Sequence, residues 1–275
     1  MKRILFLLCL AMGLMNATAQ TGSENKDHDF NLLKAALKGW HVRLGAGFNL
    51  GGTSPMPLPR SIRAIDGYDP NLCIAIEGAA EKKFEGSDFG LQIGIRLENK
   101  GMSTDATVKN YHMEAVNADG SGEIKGAFTG HVKTDVDNRY LSFPVLCTYD
   151  INKRWRVSIG PYFAWMFDGK FTGEAYGKDI LHADGIKIGT DAYIRDQNPT
   201  GEKAEVTRAT YDFSDDLRRF HWGLQAGAEF QAYKHLTVNL NLQWGLNGIF
   251  PSDFGSVTFA LYPIYGTIGL TYKLK

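Results

Sequence analysis

The sequence predicts an all-β protein, an eight-stranded antiparallel transmembrane β-barrel built as an up-and-down meander. Three observations predict this fold. Many segments alternate apolar and polar residues with a period of two, which indicates strands with two different faces. The polar faces carry few charges, and aromatic residues collect at the strand ends. The connections alternate between long and short, as in barrels with long external loops and short periplasmic turns.

The N-terminus has the three regions of a secretory signal peptide. Lys2 and Arg3 form a basic start, Ile4–Met15 is apolar, and Ala17–Ala19 supplies the small residues before a cleavage site. The mature chain is therefore expected to begin at Gln20. The predicted parts of the chain are a signal peptide at 1–19, a periplasmic N-terminal segment at 20–39 and an outer-membrane barrel domain at 40–275.

Composition excludes several other classes of protein. Lys plus Arg and Asp plus Glu number 30 each, so net charge gives no support for nucleic-acid binding. After removal of the signal peptide only Cys73 and Cys147 remain, too few for a disulfide framework or a four-thiolate metal site. We expect no cofactor. The longest apolar run is too short to cross a bilayer as a helix, so the chain must span it with strands.

Alternation places the strands along the chain. It is clearest at Leu236–Asn247, and it recurs at Trp155–Phe167 and Trp40–Leu50. The same template gives five further strands, at 72–84, 89–100, 139–149, 219–231 and 261–274.

The connections differ in length. Glu85–Asp88, Asp150–Arg154 and Ala232–His235 are hairpin-sized turns. The other connections are long and rich in Gly, Asp, Asn, Thr and Lys, and they are expected to be irregular external loops; they cover 51–71, 101–138, 168–218 and 248–260. Both termini then lie in the periplasm.

Aromatic residues favour a membrane barrel over a soluble barrel of the lipocalin type. Amphipathic rings prefer the boundary between headgroups and hydrocarbon. Seven aromatic residues stand at strand ends near the short turns or termini: Trp40, Phe84, Phe89, Tyr149, Trp155, Phe230 and Tyr272. A second belt is expected from Phe48, Trp165, Phe167, Phe220, Trp222 and Trp244.

The last strand carries a sorting signal. Thr267, Gly269, Tyr272 and Leu274 fit a pattern that resembles the terminal sequence read by the barrel-assembly machinery of Gram-negative cells. Expected partners are therefore this machinery during biogenesis, then the outer-membrane bilayer with its lipopolysaccharide.

Three short motifs resemble those of the PorT-like, "porin family" group of outer-membrane β-barrels. They are Tyr140–Pro144, Gly160–Tyr162 and Gly223–Phe230. The resemblance covers most of the mature chain. It implies a small barrel in the outer membrane and leaves the role open, because the group's name records similarity of fold more than demonstrated transport.

An eight-stranded barrel is just wide enough to be filled by its own side chains. Charges in such an interior should pair. The turn around residues 86 and 87 places Glu77 opposite Arg96, and aligning Trp40 with Phe84 places Arg43 opposite Glu81. We expect a structural network in the lumen formed by Glu77, Arg96, Arg43, Glu81, Glu98, Arg156, His41, His221 and Glu229. Neither histidine of this set has a second ligand at metal-binding spacing.

Two prolines lie on neighbouring strands. Facing Tyr149 with Trp155 across their turn places Pro144 opposite Gly160 and beside Pro161. Because proline has no N–H to donate, we expect a bulge and a gap in the ladder at this height.

No catalytic site is evident. External-loop His112, His131 and His182 lack any motif that marks a nucleophile near them. The leading hypothesis is a non-enzymatic barrel that acts in binding, assembly or secretion through its external loops, with a possible protein partner there. The alternatives are a narrow channel for small solutes and, third, a lipid-modifying enzyme.

Overall fold

The computed structural model describes residues 39–117, 123–181, 187–196, 203–206, 208–256 and 259–274. The signal peptide and almost all of the N-terminal segment lie outside these residues. From His41 onward the chain forms one compact unit. Over the described ranges, no helix is long and apolar enough to cross a membrane.

The described residues are almost entirely β-structure. The strands are β1 (Trp40–Pro55), β2 (Ile62–Asp69), β3 (Cys73–Lys83), β4 (Phe89–Asn117), β5 (Glu123–Asp150), β6 (Trp155–Tyr176), β7 (Asp179–Leu181), β8 (Lys187–Thr190), β9 (Tyr193–Asp196), β10 (Lys203–Glu205), β11 (Arg208–Asp212), β12 (Phe220–Tyr233), β13 (Leu236–Gly245) and β14 (Leu261–Lys273).

Eight of these strands close into a ring. Each pairs with the next in the order β1, β3, β4, β5, β6, β12, β13 and β14. The ring closes where β14 pairs antiparallel with β1, from Arg43 opposite Lys273 to Pro55 opposite Leu261. The predicted eight-stranded meander is confirmed, and the predicted starts at Phe89, Trp155 and Leu236 are also the observed ones.

The two ends of the barrel differ. At the short-turn end, tight connections join β3 to β4, β5 to β6 and β12 to β13, as predicted. At the opposite, extended end, β4 and β5 continue to total lengths of 29 and 28 residues. Strands β2, β9 and β11 pair with the extensions of β4, β5 and β6.

The expectation of irregular loops at 51–71, 101–138 and 168–218 was therefore wrong for much of their length. These segments are rich in polar residues, as loops are, but their period-two pattern continues. In β5, Val132 and Val136 are buried while Lys133 and Asp135 are not. These residues form a sheet whose outer face meets water, so its polar side chains mark the exposed face of a strand.

The barrel wall is polar inside and apolar outside. Along β13, Asn241 and Gln243 are buried, whereas Leu240 and Leu242 are each 55% exposed. This arrangement is the reverse of a soluble protein, in which burial removes apolar surface from water. An apolar band with a polar lumen is the arrangement that a bilayer requires of a barrel.

The outer face becomes polar at one level on three adjacent strands. Arg139 of β5 is paired with Asn99 of β4 on one side and with Asp168 of β6 on the other. From this row to Phe89 at the short-turn end, β4 is about 33 Å long at roughly 3.3 Å per residue, or about 25 Å high at a tilt near 40°. This matches the height of an apolar membrane band, so the Arg139 row marks its edge.

Aromatic side chains stand on the outer wall at both edges of the band. At the short-turn end Phe89 packs against Tyr149 with ring centroids 4.8 Å apart, and Trp155 packs against Phe230 at 5.0 Å. The members of the second belt are all exposed on the outer surface: Phe48, Trp165, Phe167, Phe220, Trp222 and Trp244.

The two prolines interrupt pairing, but in a different register from the one expected. Pro144 lies opposite Tyr162, not Gly160, and Tyr149 lies opposite Val157. The residues of β5 between Pro144 and Cys147 have no paired residue on β6, and the register of the two strands is the same on both sides of this gap. The expected gap is present, while the expected bulge is not, because the missing N–H groups break hydrogen bonds without inserting a residue.

Candidate functional site

Arg43 of β1 organises the lumen near the short-turn end. Its Nη1 lies 2.9 Å from Glu81 Oε2, and its Nη2 lies 2.6 Å from Glu229 Oε1 on β12 across the barrel. Arg156 also pairs with Glu81, and its Nε donates to Asp150 at 2.6 Å. The predicted pair of Arg43 with Glu81 is present, and Glu229 extends it across the lumen.

A second group of charges lies in the lumen nearer the extended end, around the inward-facing residues Arg96 and Glu98 of β4. Arg96 Nε donates to Glu77 Oε2 at 2.7 Å, which is the other predicted pair. Glu98 accepts from Ser142 Oγ at 2.6 Å and lies 3.0 Å from Lys100 Nζ. Gln92 contacts both Glu77 and Arg43, so it links the two groups of charges.

Lys100 was not among the residues expected in the network, because the predicted strand ended there. The signal was present in the sequence, since Arg96, Glu98 and Lys100 keep the same parity along β4. Its ammonium group lies 5.1, 5.3 and 5.7 Å from the ring centroids of three tyrosines, which form a cage around it: Tyr140, Tyr162 and Tyr265. This arrangement is favourable for a desolvated cation.

Two expected members do not join the network. His41 is exposed, because it lies at the very start of β1 near the short-turn end. His221 does face inward, but it donates from Nε2 to the backbone oxygen of Arg218 at 2.8 Å and lies edge-on to Tyr140.

The lumen is plugged by these side chains. Four cationic and four anionic residues face one another across it: Arg43, Arg96, Lys100, Arg156, Glu77, Glu81, Glu98 and Glu229. A void beside Arg43, Glu77 and Arg96 has a volume of about 20 Å³. That is room for about one water molecule.

Above the plug, the extended end encloses an apolar cavity of about 440 Å³. Its walls come from the end of β1, from β2, from the extensions of β4 and β5, and from residues near β6, β11 and β14. Met102, Met113, Val132, Phe171 and Tyr211 line it and belong to the buried apolar cluster of this region. The interior that is charged inside the membrane band thus becomes apolar beyond it.

The cavity has few polar groups, and its mouth is apolar as well. Leu58, Ile65 and Tyr68 line it and are each more than half exposed. Burial raises the pKa of Tyr211 far above its usual value, so its phenol keeps its proton. That phenol donates to the backbone oxygen of Lys133 at 3.0 Å, which fixes the ring in the cavity wall.

The three loop histidines lie in different places. His112 is exposed on the extension of β4, and His182 lies outside the described residues. His131 is buried on β5, close to Asp66 of β2 and Asp105 of β4. Among the described residues this is a group that could hold a metal ion. It was not predictable from residue spacing, because the three residues come from different strands.

Comparison with known proteins gives one family. A family described as "Outer membrane protein beta-barrel domain" matches residues 18–251. No curated protein matches the chain.

Several solved structures are similar at low scores. Ail, the attachment invasion locus protein of Yersinia pestis, in complex with the heparin analogue sucrose octasulfate, has a TM-score of 0.35 and 10% identity, over 86% of this chain and 99% of that one. OprG from Pseudomonas aeruginosa has a TM-score of 0.30 and 12% identity over 86% and 96%. Neisserial surface protein A has a TM-score of 0.28 and 7% identity over 86% and 98%.

The family match spans most of the chain, from before β1 to beyond the end of β13, and so covers seven of the eight barrel strands. It agrees with the closed ring of eight strands and the apolar outer band. The chain therefore belongs to the outer membrane protein beta-barrel domain family, and it is an outer-membrane β-barrel protein.

Proposed function

We propose that this protein is a non-enzymatic outer-membrane binding protein, in which a plugged barrel anchors an external site for a small apolar molecule. The observation that carries the proposal is the apolar cavity at the extended end, directly above a lumen closed by paired charges. In this arrangement the barrel holds the site at the cell surface.

The size and lining of the cavity support an apolar ligand. Small-molecule sites usually have volumes of about 300 to 1,000 Å³ and mostly apolar walls with a few polar groups. The cavity of about 440 Å³ falls in this range. Its methionines adapt to irregular shapes, and its aromatic rings offer flat contact surfaces. Thr53, Thr104 and Thr134 are among the few polar side chains available to orient a ligand.

The plug disfavours the alternative role of a narrow channel. An ion crossing the lumen would have to separate pairs such as Arg43–Glu81 and Arg96–Glu77, whose members are at least four-fifths buried. Breaking such a pair is costly. We expect no steady conductance in single-channel recordings of the purified protein, and a stable open current would favour the channel instead.

A cavity-filling substitution tests the binding proposal. Ala106 lines the cavity, so Ala106→Phe places a phenyl ring inside it. Ala46 is exposed on the outer wall of the barrel, so Ala46→Phe is a matched control with the same change in side chain. Both proteins would be reconstituted in nanodiscs and titrated with a fluorescent naphthylamine probe.

We expect saturable binding by the wild type and by Ala46→Phe, and at least tenfold weaker binding by Ala106→Phe. The shift of the folded band on unheated gels confirms that each barrel is intact. Equal binding by all three proteins would mean that the probe enters the surrounding lipid or another site, which would contradict the proposal.

A further inference from the structure

A polar cluster on the extended end has the ligands and the supporting contacts of a metal site. We propose that Asp66, Asp105 and His131 bind a divalent transition-metal cation, with Zn²⁺ as the best fit. One ligand atom from each residue lies within 4.8 Å of the other two. One imidazole and two carboxylates, with a water molecule as fourth ligand, form a set that Zn²⁺ accepts.

Three strands of the extended end bring the ligands together. His131 of β5 is directly opposite Thr107 of β4 and Tyr176 of β6. Asp105 precedes Thr107 by two residues and therefore shares its face of β4. Asp66 comes from β2, where the register shifts between Ile65 and Gly67. A bulge of this kind redirects one side chain, and here it places Asp66 beside His131.

Each ligand is held by a partner that leaves metal-binding atoms available. His131 Nε2 lies 3.3 Å from Asp191 Oδ2, which suits donation of its proton to that carboxylate. This is the arrangement of carboxylate, histidine and metal in which the second ring nitrogen is the ligand. Nδ1 then faces Asp66, at 3.7 Å from its Oδ2.

The two carboxylates are oriented by hydroxyl groups. Thr107 Oγ1 donates to Asp66 Oδ2 at 2.5 Å, and the Tyr176 phenol donates to Asp105 Oδ2 at 2.6 Å. The other oxygen of Asp105, Oδ1, is buried and has no hydrogen-bond partner.

These contacts create a local deficit of positive charge. The hydroxyl proton of Thr107 is used by Asp66, so it does not satisfy Nδ1 of His131 at 3.2 Å. An imidazole ring and the carboxylates of Asp66 and Asp105 are close together, and one oxygen of Asp105 has no partner. Buried polar atoms are nearly always satisfied, so such a group calls for a cation. A cluster held only by its own hydrogen bonds is the competing interpretation, and it would show no saturable metal binding.

Zinc titration of the mature protein without an affinity tag distinguishes the two. After treatment with a chelator, the protein in detergent would be titrated with Zn²⁺ by calorimetry, and Co²⁺ would be added separately to record its visible absorption bands. We expect one binding site per chain. The visible absorption of bound Co²⁺ should be that of a four-coordinate ion with a nitrogen ligand from His131. Millimolar Ca²⁺ should not displace Zn²⁺, because Ca²⁺ prefers sites made of oxygen ligands.

Variants then locate the site. His131→Ala and Asp66→Asn should each weaken Zn²⁺ binding at least 100-fold. Asp191→Asn should weaken it by 10- to 100-fold, as expected for a residue that orients a ligand. His112→Ala is the matched control, since it removes an exposed histidine from the same pair of strands and should bind as the wild type does.

These variants distinguish loss of metal binding from loss of folding. Asp66 is partly exposed on a bulge, so Asp66→Asn is expected to fold even if loss of the buried His131 does not. Absence of saturable Zn²⁺ binding by the folded wild type would overturn the proposal. Unchanged affinity in folded Asp66→Asn and His131→Ala would overturn it as well.

Discussion

The barrel and the extended end use the same strands with opposite chemistry. Along β4 the inward-facing residues Gln92, Arg96 and Lys100 are buried and polar, whereas Met102 and Val108, on the same face, are buried and apolar. The change from polar to apolar occurs between Lys100 and Met102, which are successive residues on the inward face. On the outer face, aliphatic residues below the Arg139 row give way to charged and polar ones above it.

This difference shows that the surroundings of a strand, and not its backbone, decide which face is apolar. Where lipid covers the outer wall, apolar side chains lie outside and the lumen must satisfy its own charges. Where water covers the wall, apolar side chains turn inward and enclose a cavity. The extended end is therefore packed as a soluble β-protein is, on top of a barrel packed as a membrane protein.

The largest effect is expected from breaking the plug. Glu98 accepts from Ser142 and pairs with Lys100, and all three side chains are buried. Glu98→Leu leaves the Lys100 ammonium without its carboxylate, and removing one partner of a buried pair costs about 3 to 5 kcal/mol. Urea unfolding in lipid vesicles, followed by tryptophan fluorescence, measures this loss.

The double variant Glu98→Leu with Lys100→Leu is the control. It removes both charges, and replacing a whole buried pair by apolar residues is often nearly neutral. Recovery of most of the stability would show that the charges are needed only to satisfy each other. If the double variant is as unstable as the single one, Lys100 and its tyrosine cage contribute independently to the barrel.

The sequence predicted the membrane part of the fold better than the extended part. Strict alternation with charge-poor faces located β13 and the starts of β4 and β6, because a lipid-facing wall imposes a strong contrast between faces. The extensions of β4 and β5 were missed because their exposed faces carry Lys, Asp and Thr, the same residues that form loops. Buried apolar residues on the other face, such as Val108 in β4 and Val132 and Val136 in β5, mark the continuation of these strands.

Prediction of the sites failed in the same region. Arg96–Glu77 follows from counting outward from a hairpin turn, which fixes the register, and Arg43–Glu81 follows from aligning the aromatic residues Trp40 and Phe84 at the strand ends. The cavity and the cluster around His131 join strands that are far apart in sequence. No turn relates Asp66 of β2 to Asp191, so their approach to His131 is visible only in three dimensions.

A smaller effect on stability is expected from shortening an apolar side chain, and it should differ between the extended end and the membrane band of the same strand. Val136 of β5 is 1% exposed in the apolar cluster of the extended end, while Val145 of the same strand faces outward in the membrane band and is 37% exposed. Val136→Ala should destabilise the extended end by about 2 kcal/mol, through lost burial and a residual cavity. Val145→Ala should cost much less, because lipid chains can fill the space.

Limited proteolysis with the barrel in lipid measures this contrast. We expect faster cleavage of the extended end in Val136→Ala, a resistant barrel fragment, and wild-type behaviour in Val145→Ala. Equal sensitivity of both variants would mean that the two regions unfold as one unit and that the proposed difference in packing has no energetic consequence.

The smallest effect is expected at the boundary between the regions. Arg139 Nη1 lies 2.8 Å from Asp168 Oδ2, and both side chains are more than half exposed. If water covers this row, Asp168→Asn should lower the free energy of unfolding by less than about 1 kcal/mol, and less at high salt. Urea unfolding at low and high salt measures it. A loss of several kcal/mol that salt does not reduce would place the ion pair in lipid, where its desolvated charges depend on each other, and the membrane band would then extend along β5 beyond Arg139.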